Sequence, residues 1–132
     1  MQEDKFSITN MTKSTLPRVP FANIKNRVLG KNYSLSLVFI GESKSKYLNN
    51  KYRGKNKPTN VLSFSIDKTK GNGRGEIFIT PIVVKKQTKK FNRKYENLVA
   101  FLFIHGLLHL KGMTHGSTME KAEAKLCKQF RI

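Results

Sequence analysis

Hydrophobic and polar positions divide the chain into strand-like stretches early and helix-like stretches late. Lys5 to Thr9 alternates, with Phe6 and Ile8 on one side, which predicts a short strand. Tyr33, Leu35, Leu37 and Phe39 alternate with Ser34, Ser36 and Val38, a second strand that stops at Gly41. Thr59 to Ile66 and Glu76 to Ile79 read as two more, separated by a turn over Lys68 to Arg74 that contains Gly71 and Gly73. Between these lie helical spacings. Phe21, Ile24, Val28 and Leu29 share one face of a helix over Val19 to Leu29, closed by Gly30. Ser43 to Tyr52 predicts a polar helix with Tyr47, Leu48 and Tyr52 turned inward, followed by the basic stretch Arg53 to Pro58.

The second half is more helical. Thr80 as N-cap with Pro81 at the first position starts a helix expected to continue to Lys90. Arg93 to Leu110 is apolar around nearly its whole circumference from Leu98 onward, so it is expected to be the central, buried helix, with Gly112 at its stop. A last amphipathic helix spans Ser117 to Phe130, with Ser117 and Glu120 in capping-box spacing. Strands before long helices favour a layered α+β fold, with helices packed on one small sheet. At 132 residues, the length suits one domain, 1–132.

Charge changes the picture more than composition does. Twenty-six Lys and Arg against eight Asp and Glu give a formal net charge of +18. A charge of that size attracts polyanions at long range, and nucleic acid is the most economical partner. An anionic membrane surface is the alternative, and a solvated surface rich in Lys and Asn would carry the same charge. The only cysteine, Cys127, follows the apolar pattern of the last helix and reads as a buried, inert thiol, so thiolate zinc clusters are excluded. Met1 to Thr9 carries Glu3 and Asp4 and does not read as a signal peptide. Leu98 to Leu110 is too short and too interrupted to cross a bilayer, so no membrane role and a cytoplasmic setting are expected.

The candidate chemistry is concentrated in one place. His105, His109 and His115, the three histidines of the chain, fall within eleven consecutive residues. Four residues of helix advance about 400°, so the imidazoles of His105 and His109 leave the same face and can share one tetrahedral metal. Gly112 lets the chain fold back and bring His115 round as a third ligand. Three protein ligands leave one open position for water, the layout of a catalytic zinc site, although imidazoles also suit nickel and other first-row ions. Bound zinc brings the pKa of such a water to about 7. Helical zinc proteases carry Glu directly after the first His, and here that position is Gly106, so the usual protease base is absent. The scattered carboxylates argue against a two-metal nuclease site. No organic cofactor is expected, and nothing in the pattern sets the oligomeric state.

His105-Gly106-x-x-His109-Leu110-x-Gly112-x-x-His115 resembles the signature of the YbeY family, bacterial rRNA maturation factors that are single-strand-specific metallo-endoribonucleases. Leu48-Asn49, Arg53 and Thr59-Asn60-Val61-Leu62-Ser63-Phe64 resemble a second family block, and Gly75-Glu76-Ile77 a third. The resemblance implies a mixed four-stranded sheet with helices around it and zinc on the three histidines. It further implies action in 16S rRNA 3′-end maturation and ribosome quality control, with rRNA and ribosomal particles as partners. Arg53 matches the family's functional arginine, suited to holding a phosphate in bidentate fashion, and Ser63 falls in the same block as a candidate substrate contact. Asn60 stands where the family has Asp, and Met113-Thr114 where it has Tyr-Asp, which leaves His115 without a neighbouring carboxylate. A metal-dependent hydrolase of peptides or esters, and a ribosome assembly factor with a mainly structural metal, are the competing readings.

Overall fold

The computed structural model describes residues 5–69 and 72–132, so Gly71 of the predicted turn and Glu3 and Asp4 lie outside the described residues. Four strands form one mixed sheet: β1 (Phe6–Asn10), β2 (Ser34–Phe39), β3 (Val61–Asp67) and β4 (Arg74–Ile79), in the order β1-β2-β4-β3. β1 runs parallel to β2 and β2 to β4, whereas β3 is antiparallel to β4 and forms an edge. The register sets Leu37 of β2 beside Ile77 of β4 and Ile77 beside Ser63 of β3. Strand alternation therefore turns Leu35, Leu37, Phe39, Ile77 and Ile79 toward a common core.

That core is completed by helices α1 (Phe21–Leu29), α5 (Tyr95–Leu110) and α6 (Ser117–Phe130), with α2 (Glu42–Arg53), α3 (Pro81–Lys86) and α4 (Thr88–Phe91) between. α5 is the central buried helix: Leu98, Val99, Phe103, Ile104 and Leu107 have no solvent exposure, and the helix packs on β3, β4, α1, α3 and α6. Phe21 of α1 meets Phe103 edge-on at 5.1 Å, a favourable aromatic geometry. The α+β layering with a central His-bearing helix follows the sequence reading.

Four local expectations are corrected. The helix predicted over Pro81–Lys90 is two helices, broken at Gln87, whose backbone sits at φ −105° and ψ 3°. Gln87 is held there from outside the helix, since its Oε1 accepts a 2.8 Å bond from Asn60 Nδ2. Neither Thr80 nor Ser117 makes a side-chain cap bond; Gly116 is the N-cap of α6 at φ +152°, and the capping box does not form. The first helix begins at Phe21 rather than Val19, because Pro20 disfavours helical backbone in the residue before it. On α2, Tyr47 and Tyr52 face outward and Ser45 and Asn49 are buried. The reason is the loop that follows. Its backbone needs partners, and Ser45 Oγ and Asn49 Nδ2 donate to the carbonyls of Thr59 and Lys57 at 3.0 and 2.8 Å.

Candidate metal centre

The last turn of α5 carries the site, and the way the helix ends decides its shape. Gly112 takes φ +105°, a conformation that side-chain-bearing residues rarely adopt. Its N–H donates to His109 O and that of Met113 to Leu108 O, both at 3.0 Å. This is a Schellman closure, which satisfies two terminal carbonyls and reverses the chain at once. His115 is thereby returned toward the helix, and its ring lies 5.1 Å from that of His105 and 5.0 Å from that of His109. Each of the three histidines offers a nitrogen within 4.8 Å of the others.

Hydrogen bonds fix what two of the rings can do. His109 Nδ1 lies 3.1 Å from Met113 O; a carbonyl only accepts, so Nδ1 carries the proton. His105 Nδ1 lies 3.0 Å from the carboxylate of Glu123, which likewise takes a donated proton. In the neutral rings both Nε2 atoms are then bare lone pairs, and they face each other at 3.0 Å. Two lone pairs at that separation are held together by a shared proton or by a cation placed between them. A tetrahedral zinc with Zn–N of about 2.0–2.1 Å would set its ligands about 3.3 Å apart, close to the separation of the helical pair, and His115, whose nitrogen lies within 4.8 Å of both, would close up to join them. The pKa of His109 is lowered, first by burial and then by the neighbouring His105, which keeps the ring neutral and ligand-competent.

Glu123 is the site residue that sequence reasoning missed. It projects from α6, only 7% exposed, on the face that buries Met119, Leu126 and Cys127. The available signal was a carboxylate at an apolar position of an amphipathic helix, since a buried charge requires a partner. Among the described residues, His115 makes no side-chain hydrogen bond and is exposed, and Thr114 does not supply one. Gly106 lies against the sheet: a Cβ there would meet Ile77 Cδ1 at 3.1 Å, so a glutamate would be driven into the core instead of toward the histidines. Cys127 is buried, and burial raises its thiol pKa, in keeping with an unreactive role.

The histidines open onto a cleft of about 1240 Å³, which Arg53 and Ser63 also line. Arg53 ends α2, where Gly54 caps the helix in the left-handed conformation. Its Nη2 donates to Ser63 O at 3.1 Å, and its guanidinium lies over the Phe64 ring, 5.3 Å from the centroid. The fold thus brings all five sequence-singled residues to one concavity. Asn60, also on its wall, pairs with Gln87 and not with a histidine. Among the described residues, no helix is long and apolar enough to cross a membrane.

Comparison with known proteins places this arrangement in a family setting. The family model described as Endoribonuclease YbeY matches residues 1–131. A relative of that name from Aster yellows witches'-broom phytoplasma is 40% identical over 103 residues, covering 74% of this chain and 70% of the relative. Another, from Thermodesulfovibrio yellowstonii, is 36% identical over 106 residues, covering 74% and 67%. The solution structure of TM1509 from Thermotoga maritima shares the fold with a TM-score of 0.63 at 24% identity, covering 96% of this chain and 91% of that one.

Proposed function

The chain belongs to the YbeY endoribonuclease family, and on that footing we propose that residues 1–132 form one metal-dependent domain hydrolysing phosphodiester bonds of single-stranded RNA. Its expected context is 16S rRNA 3′-end maturation and ribosome quality control in the cytoplasm, on rRNA within ribosomal particles. The observation that carries this reading is the approach of His105 Nε2 and His109 Nε2 to 3.0 Å, with His115 beside them, in a cleft of a basic protein that Arg53 also lines.

In this reading His105, His109 and His115 hold one zinc ion, with nickel or another first-row ion as a substitute. Such an ion, when bound, supplies a Lewis acid and a water acidic enough to react near neutral pH. The chain's own groups do the positioning. Glu123 and the Met113 carbonyl hold the Nδ1 protons of His105 and His109, aiming both Nε2 atoms at the ion and raising their basicity. Arg53 takes a phosphate oxygen and offsets charge that develops during cleavage. Ser63, on the same wall, offers a hydroxyl to the RNA strand. The net charge of +18 supports an anionic polymer as substrate, and the place of Gly106 against Ile77 weighs against a helical-protease base.

The test is cleavage of single-stranded rRNA fragments by purified protein, with and without chelator, alongside His109→Ala. Cleavage is expected to vanish in both cases. Activity that survives both would overturn the proposal.

A further inference from the structure

Beyond the cleft, at the edge formed by β3 and the end of α2, the surface carries aromatic rings that water should not favour. Tyr47 is 60% and Tyr52 53% exposed. Tyr52 lies 5.1 Å from Phe64, ring centroid to centroid, and Phe64 lies 5.9 Å from Phe78. Cations accompany these rings: Lys51 Nζ stands 5.3 Å from the Tyr52 centroid and 5.8 Å from that of Tyr47, and Arg53 covers Phe64. Arg53 belongs to both places, since it also lines the histidine cleft.

We infer that Tyr52, backed by Phe64, forms a stacking platform for an unpaired nucleobase of the RNA strand whose phosphate Arg53 holds. The inference rests on the reading of the cleft as an RNA-cleaving site and adds where the strand goes as it leaves it. The exposed Tyr47 and Tyr52 rings, interleaved with Lys51 and Arg53, match the alternation of base and phosphate along a single strand. Arg53 is the hinge between the two surfaces, so a strand with one phosphate on that guanidinium has its neighbouring base beside the platform. Lys51, long and fully solvated, can leave the ring face and meet the next phosphate. An aromatic ring accepts any base face, so the platform confers single-strand preference with little sequence preference.

The experiment uses the full-length protein loaded with zinc and a single-stranded oligoribonucleotide, in intact form and with single abasic positions stepped along it. Binding is followed by anisotropy, with cleavage measured in parallel. Tyr52→Ala is expected to weaken binding about tenfold and raise KM with kcat little changed, whereas Tyr52→Phe binds like the parent. One abasic position is expected to weaken the parent and leave Tyr52→Ala indifferent. Equal binding by Tyr52→Ala and the parent would overturn the platform while leaving the cleavage reading intact, as would an equal further loss in Tyr52→Ala at every abasic position. Tyr52-dependent binding without cleavage would uphold the platform and refute the cleavage reading. A parent protein that binds no single-stranded RNA would overturn both.

Discussion

His105 and His109 on one side and His115 on the other are held in different ways. The first two leave a rigid helix, each with its Nδ1 fixed, one by Glu123 and the other by the Met113 carbonyl. The third stands exposed on the turn after Gly112, and among the described residues no side chain hydrogen-bonds to it. The pair is preorganised, with its two Nε2 atoms 3.0 Å apart. The third ring lies beside them in a position that can adjust. Most of the affinity for a metal should therefore reside in the helical pair, and the loop ligand should govern how open the remaining position is.

The largest effect should come from the pair itself. His109→Ala is expected to abolish stoichiometric metal binding and RNA cleavage, whereas His115→Ala retains weakened binding, as measured by elemental analysis and titration calorimetry. Equal loss in the two variants would remove the distinction. Next is Glu123. Glu123→Ala should lower metal affinity about 10–100-fold, the usual cost of losing a partner that orients a histidine ligand. Glu123→Gln should fall between, because an amide oxygen still accepts from Nδ1. Arg53→Ala should leave metal affinity unchanged and reduce kcat/KM by about 10–1000-fold, a separation read by pairing calorimetry with cleavage assays.

Smaller effects are expected at the turn and in the titration of the pair. Gly112→Ala forces a side chain into the positive-φ position of the Schellman turn and is expected to cost about 1 kcal/mol in chemical denaturation, with His115 displaced more than the pair. The pH dependence has a definite sign. The folded His109 pKa lies below its usual value, so the native state binds fewer protons than the unfolded chain between the two values. The metal-free protein should lose stability as pH falls from about 6.5 toward the folded pKa, and then level off. Thermal midpoints across that window check it, and His109→Ala should flatten the profile.

Much of this was legible in the sequence, for physical reasons that differ by element. The apolar circumference of α5 marked it as the central helix, and its i, i+4 histidines had to share a face. Gly112 signalled both the stop and the reversal. The parts that were not legible depend on partners distant in sequence. Tyr47 and Tyr52 looked like the inner face of α2, but the backbone of the loop at Lys57 to Thr59 needed Ser45 and Asn49 more. The helix after Pro81 breaks at Gln87, whose side chain is bonded to Asn60, 27 positions away. Glu123 is 18 positions from the histidine it orients. The concern that Thr114 leaves the site without a carboxylate is answered in part: the carboxylate comes from α6 and serves His105, while His115 stays unsupported.

The dependence of RNA cleavage on one metal ion held by these three histidines is where the proposed function stands or falls. It is tested most directly by stripping the purified protein of metal and adding zinc back in measured equivalents while following cleavage of single-stranded rRNA. Cleavage is expected to disappear on stripping and to return in full at one equivalent in the parent, with no return in His109→Ala. Cleavage that persists in the stripped protein, or that His109→Ala recovers as the parent does, would contradict the account.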